Sequence, residues 1–266
     1  MIPADSGPGD DGKVIPPDGW TVLHFDRLGS TNDEARARAT DGAAHGTVVW
    51  ADAQDSGRGR RGRSWSSLAG NLFCTTILRP DAPAATAGQL GFVIALATHE
   101  AVKALSPTAD AMLKWPNDLL VGGRKISGIL LESALRPDGR TDWVIAGLGV
   151  NVAAHPENSE TPAISLNALP GASEATAAEL LETYLPRLRF WYDRWALEGF
   201  ELIREAWLER ARGLGGEVRV RLETDSFAGL FEDIDMNGAL IVRLGDGTRR
   251  RVNAGDVFFP HLMQEA

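Results

Sequence analysis

The sequence predicts an α+β protein: a mixed, largely antiparallel sheet with helices, followed by a small C-terminal β-barrel. Strand-like apolar runs alternate with helical stretches over most of the chain, and a Gly-Gly pair at residues 122–123 joins two such runs as a hairpin turn does. After Gly213, short alternating runs are separated by Asn-Gly and Asp-Gly turns. We therefore expect a flexible arm at residues 1–19, a main domain at residues 20–212 and the barrel at residues 213–266.

The elements of the main domain follow from apolar, β-branched runs and from helical spacing. The last helix is expected to break near Pro186. In the return strand of the hairpin, strict alternation puts Lys125 and Ser127 on one face and Gly128 on the other. In chain order, the sequence predicts a strand at residues 20–26, a helix start at 29–39, strands at 47–53 and 71–78, a helix at 89–105, the hairpin at 112–121 and 125–133, a strand at 143–152 and a helix at 174–212.

The composition excludes several classes of function. The chain has 266 residues, of which 44 % are hydrophobic, so a large core can form. Its net charge of −9 argues against a broad nucleic-acid footprint, and any anion binding must be local. A single cysteine, Cys74, excludes an internal disulfide framework, and the five scattered histidines lack zinc-ligand spacing. No signal peptide or membrane span is expected, which favours a cytoplasmic protein.

The segment GRGRRGR at residues 57–63 concentrates arginine and glycine within an acidic protein. Glycine lets the backbone approach a ligand closely, and the guanidinium fork binds carboxylate or phosphate through paired hydrogen bonds. The segment therefore favours an anion-binding loop that orders around its ligand. Taken alone it fits a solvated basic loop or an RNA-binding tail equally well, although Trp65 is the only aromatic residue nearby.

Two of the four lysines, Lys114 and Lys125, lie in the segment LKWPNDLLVGGRKISGILLES at residues 113–133. Gly128 within a strand indicates close approach by a ligand or a neighbouring backbone. Asp118 has two interpretations that the residues leave open. It forms either a local turn hydrogen bond, or a carboxylate that helps to hold Mg²⁺ or orients a nucleophile.

Two further segments each allow a structural and a functional interpretation. In GSTNDEA, at residues 29–35, the residues alone favour a capping box in which Ser30 or Thr31 caps the next helix. Hydroxyl groups at a helix N-terminus are also well placed to bind a polar ligand. In GLGVN, at residues 147–151, the glycines allow either tight packing or close approach of a ligand.

Together these segments resemble one family, the biotin–protein ligases, also called biotin–[acetyl-CoA-carboxylase] ligases. The resemblance runs from Trp20 to the C-terminus. It implies a class II synthetase-like catalytic domain that binds biotin and ATP, and an SH3-like C-terminal barrel. It rests on five stretches that occur in the family's order: STN at residues 30–32, QDSGRGRRGRSW at 54–65, KWPNDL at 114–119, RKISGIL at 124–130 and GLGVN at 147–151.

The resemblance implies a role for each matching residue. Lys125, Arg60 and Asp118 are the implied catalytic residues, and Asp118 is also the implied metal ligand. The implied biotin-binding residues are Ser30, Thr31, Asn32, Gln54, Gly57, Arg58, Arg60, Lys125 and Gly128. The implied nucleotide-binding residues are Arg58, Arg60, Arg61, Gly62, Arg63, Trp65, Asn117, Lys125 and Asn151.

The implied reaction has two steps. The carboxylate of biotin attacks the α-phosphate of ATP to give biotinyl-5′-AMP and pyrophosphate, while Arg58, Arg60, Lys125 and Mg²⁺ offset the repulsion between the two anions. A lysine of a biotin carboxyl carrier protein domain then attacks the adenylate, and Asp118 orients or deprotonates the lysine amine. Mg²⁺ is expected to be held mainly by phosphate oxygens.

The resemblance also implies partners and a departure from some relatives. The expected partners are biotin, ATP and the carrier domain, with no DNA and no membrane, and the expected state is a monomer or a weak homodimer. Some relatives begin with a winged-helix domain and repress transcription. Only about nineteen residues precede the first strand here, so we expect no repressor activity. Asp55 adds a negative charge beside the Gly-Arg segment and is expected to point outward.

Two other functions are compatible with parts of the sequence. A lipoate–protein ligase or octanoyltransferase would share the fold and would also modify a carrier lysine, and competition between biotin and lipoate distinguishes it. A non-catalytic RNA- or nucleotide-binding module would use the arginines of the Gly-Arg segment. That module predicts strongly salt-dependent binding to nucleic acid and no release of pyrophosphate.

Overall fold

The computed structural model describes residues 14–159, 161–169 and 174–259 of the chain. The predicted arm falls within this part only from residue 14 onward, and the rest of it lies outside the described residues. Val14 is buried in the main core, and the Asp18 carbonyl accepts a hydrogen bond from Arg189 Nη1 at 3.0 Å. The described end of the predicted arm therefore packs against the main fold.

The main sheet contains seven strands within the described residues. They are β1 (Thr21–Leu28), β2 (Thr47–Gln54), β3 (Leu72–Leu78), β4 (Ala111–Lys114), β5 (Asp118–Val121), β6 (Arg124–Leu135) and β7 (Thr141–Val150). Their order across the sheet is β1-β2-β3-β7-β6-β5-β4. β1 and β2 are parallel and the other neighbouring pairs are antiparallel, which confirms the predicted mixed, largely antiparallel sheet.

Helices cover both faces of this sheet, which is why β3 is buried along its whole length. The helices are α1 (Thr31–Thr40), α2 (Leu90–Leu105), α3 (Ala177–Glu198) and α4 (Phe200–Leu208). Ala35 and Ala39 of α1 pack on Val49 and Ile77 at one face. The other three helices pack in the main core at the opposite face. None of the helices in the described ranges combines the length and apolarity needed to cross a bilayer.

Helix α3 corrects the expected break near Pro186. The helix begins with a capping box between Thr176 and Glu179 and continues through Pro186 without interruption. The lost backbone donor is tolerated because one side of the helix is buried against the core. The break falls instead at Gly199, whose φ of +86° separates α3 from α4.

The predicted hairpin is confirmed, with one added turn. Gly122 and Gly123 both have positive φ and join β5 to β6, as a two-residue hairpin turn requires. The run expected as a single strand at residues 112–121 is divided by a turn at residues 115–117, which makes β4 and β5 a second hairpin. The peptide bond before Pro116 in this turn is cis.

The C-terminal part forms a separate five-stranded antiparallel sheet, as predicted. Its strands are β8 (Glu217–Arg221), β9 (Ser226–Ile234), β10 (Leu240–Arg243), β11 (Arg249–Val252) and β12 (Asp256–Phe258), in the order β11-β10-β9-β8-β12. The alternation in β8 buries Val218 and Val220 and exposes Glu217, Arg219 and Arg221. Gly238 and Gly247 occupy the two predicted turns with positive φ. This architecture is consistent with an SH3-like barrel.

Backbone bonds fix the segment that leads into the barrel, and a side-chain bond fixes the barrel itself, to the main sheet. Leu113 of β4 donates to the Arg210 carbonyl at 2.8 Å and accepts from the Arg212 amide at 2.7 Å. Trp115 Nε1 donates to the Gly238 carbonyl at 3.0 Å. These bonds bring β8 and β12 to the ends of β4 and β5. The predicted boundary between residues 212 and 213 stays a prediction.

Candidate active site

A cleft opens where the main sheet, the N-terminus of α1, the Gly-Arg segment and the barrel meet. Twelve of the sixteen residues predicted from the sequence line it, and the barrel contributes further residues. The predicted residues that line the cleft are Ser30, Thr31, Asn32, Gln54, Arg58, Arg60, Arg63, Trp65, Asn117, Asp118, Lys125 and Gly128. Five separate segments of the main domain thus meet at one place.

The base of the cleft is backbone rather than side chain. Gly128 of β6 pairs with Gly149 of β7, and Gly147 lies two residues before Gly149 on the same face. A Cβ on Gly149 would stand 2.6 Å from Trp65 Cε2, and one on Gly147 would collide with the amide of Asn32. We call these three glycines the glycine floor. Their absent side chains let Trp65 and Asn32 lie directly on the sheet.

One end of the cleft is a network of uncharged hydrogen-bonding groups. Gln54 Oε1 accepts from the Thr31 amide at 2.9 Å and from Thr31 Oγ1 at 3.2 Å. Thr75 Oγ1 lies 2.9 Å from Thr31 Oγ1 and donates to Asn32 Oδ1 at 2.7 Å. We call Ser30, Thr31, Asn32, Gln54 and Thr75 the neutral end. Nearly all of its polar groups are already oriented by one another, which fixes their directions.

The start of α1 does not form the predicted capping box. Ser30 occupies the N-cap position with extended backbone, but its side chain makes no capping hydrogen bond. The Thr31 amide is satisfied by Gln54 at the end of β2 instead. The capping-box prediction is therefore wrong at this helix. The arrangement places the Ser30 and Thr31 side chains at the cleft, where they agree with the alternative interpretation of polar-ligand binding.

The Gly-Arg segment forms a tight turn whose arginines extend toward different parts of the site. The Gly59 amide donates to the Arg63 carbonyl at 2.7 Å, and the Trp65 amide donates to the Gly57 carbonyl at 2.9 Å. Arg61 and Gly62 at the tip have positive φ. The glycine at position 62 suits this left-handed backbone, whereas Arg61 adopts it against its usual preference.

Arg58 and Arg60 differ in their partners. Arg58 Nη2 lies 2.5 Å from Asp33 Oδ1 and 3.4 Å from Glu132 Oε1, so acidic side chains already hold it. Arg60 makes no ion pair with any described residue, and its Nη1 donates to Asn117 Oδ1 at 3.1 Å. Burial, together with the nearby charge of Arg61, lowers the pKa of Arg60 below its usual value. Arg60 is therefore a partly buried cation without an anionic partner.

Lys125 lies on the glycine floor, and this corrects the predicted face. A bulge in β6 sets Lys125 and Ile126 opposite the single residue Leu120, which interrupts the alternation. Lys125 Nζ lies 3.3 Å from where a Cβ of Gly128 would stand, and 5.6 Å from the centroid of the Trp65 ring. The lysine therefore shares the cleft face with Gly128, although strict alternation placed them on opposite faces.

Asp118 pairs with Lys125 across the β5–β6 hairpin. Asp118 Oδ1 lies 2.6 Å from Lys125 Nζ, and Asp118 Oδ2 lies 4.0 Å from Lys114 Nζ. An ammonium group therefore already neutralises the carboxylate. No group of three or more acidic, histidine or cysteine side chains able to hold a metal occurs among the described residues. The ion pair is compatible with an orienting role of Asp118 toward Lys125, and the predicted role of Asp118 as a metal ligand stays a prediction.

The other end of the cleft carries charge from both domains. Asp256 of the barrel lies 2.5 Å from Arg63 Nη2 and 3.3 Å from Arg221 Nη2. Six basic side chains line the cleft as a whole against two carboxylates, Asp118 and Asp256, which leaves an excess of positive charge. We call Lys114, Arg63, Arg221 and Asp256 the charged end. Only Arg63 of this group was predicted, because no motif marks the barrel residues and Lys114, although it begins the KWPNDL stretch, was assigned no role.

Four predicted site residues lie outside the cleft lining: Gly57, Arg61, Gly62 and Asn151. Asn151 is buried, and its Nδ2 donates to the Ile164 carbonyl at 3.1 Å. Its implied contact with nucleotide stays a prediction. Asp55 is exposed and pairs with Arg27 at 2.8 Å, so it points away from the cleft as expected.

Two family matches agree with this architecture. The model of the Biotin/lipoate A/B protein ligase family matches residues 25–151, and the model of the Biotin protein ligase C terminal domain matches residues 213–259. The first match spans the neutral end, the Gly-Arg segment and the glycine floor. A mixed sheet with this cleft and a C-terminal barrel defines a protein of the biotin and lipoate ligase class.

Comparison with individual proteins narrows the class. The chain is 41 % identical over 239 residues to the biotin–[acetyl-CoA-carboxylase] ligase of Paracoccus denitrificans, covering 88 % of this chain and 98 % of that protein. It is 34 % identical to the corresponding ligase of Mycobacterium tuberculosis, over 90 % of this chain and 89 % of that protein. The biotin protein ligase from Aquifex aeolicus in complex with biotin and ATP superposes with a TM-score of 0.76 at 26 % identity, covering 89 % and 97 % of the two chains. The chain belongs to the biotin–protein ligase family.

Proposed function

We propose that this protein activates biotin with ATP to biotinyl-5′-AMP and transfers the biotin to a lysine of a biotin carboxyl carrier protein domain. The observation that carries the proposal is one cleft that contains both the neutral end and the charged end. Lys125 lies between them, because it contacts the glycine floor at Gly128 and pairs with Asp118, whose carboxylate lies 4.0 Å from Lys114. Biotin has an uncharged ureido group at one end and a carboxylate at the other. The cleft offers matching chemistry in the same order.

The neutral end suits the ureido group. A ureido group presents N–H donors and a carbonyl acceptor, and Thr31, Gln54 and Ser30 supply acceptors and donors at fixed positions. The glycine floor lets Trp65 and Asn32 approach the sheet closely, and the fused rings of biotin would lie beside these two side chains. Asn32 stiffens this end, because its amide bonds both Thr75 and Glu132.

The first chemical step brings two anions together. A carboxylate oxygen of biotin attacks the α-phosphorus of ATP, and the bond to the bridging oxygen breaks so that pyrophosphate leaves. Lys125 and Arg60 reduce the repulsion between the carboxylate and the phosphate and stabilise the charge that builds at phosphorus. Asp118 holds Lys125 from the β5 side and thereby orients its ammonium group.

Mg²⁺ belongs to this proposal as the companion of ATP. When bound, it would neutralise part of the phosphate charge, and phosphate oxygens rather than a protein cluster would hold it. The carboxylates near the cleft agree with this arrangement, since Asp118 and Asp256 are both engaged with basic side chains.

The second step is attack by the carrier lysine on the mixed anhydride, which releases AMP. The amine must lose a proton before it attacks. Asp118 would orient or deprotonate it, because Asp118 is the carboxylate nearest to Lys125 in the cleft. The Gly-Arg segment would close over the adenylate and exclude water. Its ordering by ligand is measurable as slowed amide hydrogen exchange at residues 57–63 when biotin and ATP are added.

The carrier partner, a monomeric or weakly dimeric state and a cytoplasmic location are parts of the same proposal. They follow from the activity and from the sequence expectations rather than from the cleft. Sedimentation of the protein with and without biotin and ATP tests the oligomeric state.

The decisive experiment is incubation of the protein with biotin, MgATP and a purified carrier domain, followed by intact-mass measurement of the carrier. We expect one biotinyl group on the carrier, and none when its acceptor lysine is replaced by arginine. A carrier of unchanged mass contradicts the proposal. Repeating the reaction with excess lipoate separates the two ligase activities, because a lipoate ligase would lose biotin incorporation under competition.

A further inference from the structure

Glu132 is an acidic side chain that has no role of its own in the proposed reaction. It follows Gly128 by four residues in β6 and therefore lies on the face of the sheet that forms the glycine floor. It does not line the cleft, and 28 % of its side chain is exposed. Its carboxylate accepts hydrogen bonds from three side chains of other segments, which are Asn32, Arg36 and Arg58.

The contact with Asn32 distinguishes Glu132 from the other carboxylate at this place. Asp33 Oδ1 accepts from Arg36 Nη1 at 2.7 Å and from Arg58 Nη2 at 2.5 Å, so the two carboxylates bind the same two guanidinium groups. Of the two, only Glu132 also reaches the neutral end, where its Oε1 accepts from Asn32 Nδ2 at 3.0 Å. The ion pairs alone therefore do not account for the position of Glu132.

This contact fixes the orientation of the Asn32 amide. A carboxylate that is paired with two guanidinium groups accepts hydrogen bonds and donates none, so the amide must turn its Nδ2 toward Glu132. The Oδ1 atom then faces Thr75 Oγ1, which donates to it at 2.7 Å. The amide lies directly on the glycine floor, where a Cβ on Gly147 would collide with it, and this close packing holds its plane.

The direction of the hydrogen bonds then passes through Thr75, which is fully buried, to Thr31. A hydroxyl group has one hydrogen, and Thr75 donates its own to Asn32, so it presents a lone pair toward Thr31. The Thr31 hydroxyl lies 2.9 Å from Thr75 Oγ1 and 3.2 Å from Gln54 Oε1, and both of these atoms are acceptors. The hydrogen of Thr31 is therefore held within the network. Toward the cleft, Thr31 presents a lone pair and acts as an acceptor.

The opposite orientation of the Asn32 amide would reverse this chain of hydrogen bonds. Asn32 Nδ2 would donate to Thr75, and Thr75 would donate to Thr31, so the hydrogen of Thr31 could turn toward the cleft. A ureido group presents two N–H donors, each of which needs an acceptor. The orientation that Glu132 imposes therefore suits biotin, whereas the reversed one would let two donors face each other.

We propose that Glu132 is a positioning residue for biotin: through Asn32 and Thr75, its carboxylate makes the Thr31 hydroxyl an acceptor for an N–H of the ureido group. This rests on the proposed biotin activation. Glu132 itself touches neither biotin nor nucleotide and acts through the residues between them. Because it also pairs with Arg58, the same carboxylate joins the Gly-Arg segment to the neutral end.

An alternative interpretation is that Glu132 only fastens α1 and the Gly-Arg segment to β6 through Arg36 and Arg58. That interpretation predicts that Asp33 and Glu132 are equivalent, because both bind these two arginines. It also gives Thr75 no part in the effect. The proposal predicts that Glu132 and Thr75 act together on biotin binding, and that Asp33 has little influence on it.

The test measures biotin binding by calorimetry and carrier biotinylation at varied biotin concentration, both on the full chain. For Glu132→Met we expect biotin to bind about tenfold more weakly and its KM to rise by about the same factor. The kcat at saturating biotin and the KM for ATP should change less than about twofold, because the reacting groups are untouched. Asp33→Asn is the matched control, and it should change biotin affinity less than about twofold.

Thr75→Val tests the same chain of hydrogen bonds from the other side of Asn32. The substitution keeps the shape of a buried side chain and breaks no ion pair, so it also carries the test if Glu132→Met fails to fold. We expect about tenfold weaker biotin binding. In the double variant with Glu132→Met the losses should not multiply, so the total loss should stay near about tenfold to thirtyfold rather than reach about a hundredfold.

The outcomes separate this inference from the proposed function. A wild-type protein that binds neither biotin nor ATP overturns both. If the wild type forms the adenylate, any of three results overturns the role of Glu132 alone. These results are an unchanged biotin affinity in Thr75→Val, a biotin affinity in Glu132→Met no weaker than in Asp33→Asn, and losses that multiply in the double variant.

Discussion

The neutral end and the charged end of the cleft are organised in opposite ways. At the neutral end, Thr31, Gln54, Thr75 and Asn32 bond one another, so their donors and acceptors are mutually satisfied. At the charged end, basic groups outnumber carboxylates, and among the described residues Lys114 has no ion-pair partner closer than Asp118 at 4.0 Å. The difference teaches that the first end is preorganised for a neutral group, whereas the second holds uncompensated charge that an anionic substrate would neutralise.

Lys125 stands between the two ends, and its removal should give the largest effect. We expect Lys125→Ala to slow adenylate formation by about a hundredfold or more, because its ammonium lies where carboxylate and phosphate meet. Pyrophosphate release in single turnover measures the effect. Lys103→Ala is the control, since Lys103 bonds the carbonyls of Pro107 and Ala109 away from the cleft. Equal rates for the two variants would contradict the role of Lys125.

A side chain on the glycine floor should disable the neutral end selectively. In Gly149→Ala, the new Cβ would meet the Trp65 ring at 2.6 Å, and the displaced ring would intrude on the ligand. We expect biotin affinity to fall by at least about tenfold while pyrophosphate affinity changes little. Gly245→Ala, where nothing lies within 4 Å of the new Cβ, is the control. A parallel loss of both affinities would show that the two ends are not separable.

Arg60 should slow the dissociation of the adenylate intermediate. Arg60 is partly buried and has no described anionic partner, so its positive charge is available to attract the phosphate of a bound adenylate. For Arg60→Ala we expect the adenylate to dissociate about tenfold faster, measured by chase with unlabelled biotin. Arg140→Ala, which breaks an exposed pair with Asp81, is the control. An unchanged dissociation rate would remove Arg60 from the site.

Folding stability should depend on pH through His99, which lies outside the cleft, and this effect should leave ligand binding at both ends of the cleft unchanged. Burial lowers the pKa of His99 to about 4 from its ordinary 6.5, so the unfolded chain takes up a proton that the folded chain resists. Stability is therefore full above pH 6.5 and is lost as the pH falls toward 4. Allowing for partial exposure of the ring, the loss attributable to His99 between pH 7.5 and 5 is about 1 kcal/mol.

Denaturant unfolding of the wild type and His99→Gln at both pH values measures that loss. The variant should show a smaller difference between the two pH values than the wild type. The result would be contradicted by parallel pH dependence in the two proteins. Biotin affinity at pH 7.5 should be the same in both, because His99 bonds the Ala111 carbonyl on the far side of β4 from the neutral end.

Local chemistry made much of the fold predictable. The Gly-Gly turn predicted the β5–β6 hairpin, and the Asn-Gly and Asp-Gly turns predicted the short strands of the barrel. These residues are informative because they adopt backbone angles that few others do. The expected break at Pro186 was wrong because burial of one helix face outweighs one lost hydrogen bond. The expected face of Lys125 was wrong because a bulge interrupts alternation, and single-sequence periodicity carries no signal for it.

The candidate site also contains some residues that the sequence could predict and others that it could not. Ser30, Gln54 and Lys125 could be predicted because they lie in recognisable segments. Arg221 and Asp256 could not, since their position depends on how the barrel docks on β4. That docking joins segments more than a hundred residues apart in the chain, through bonds such as Trp115 to Gly238. Neither hydrophobic periodicity nor turn residues encode such a contact.

The glycine floor also limits how this enzyme could change its preference during evolution. A surface made of main chain offers no side chain whose gradual replacement could reshape it, and the smallest step, to alanine, already obstructs the neighbouring indole and amide. Selection for a different ligand would therefore have to change the side chains around the cleft, at α1 and the Gly-Arg segment, while the glycine floor stays constant.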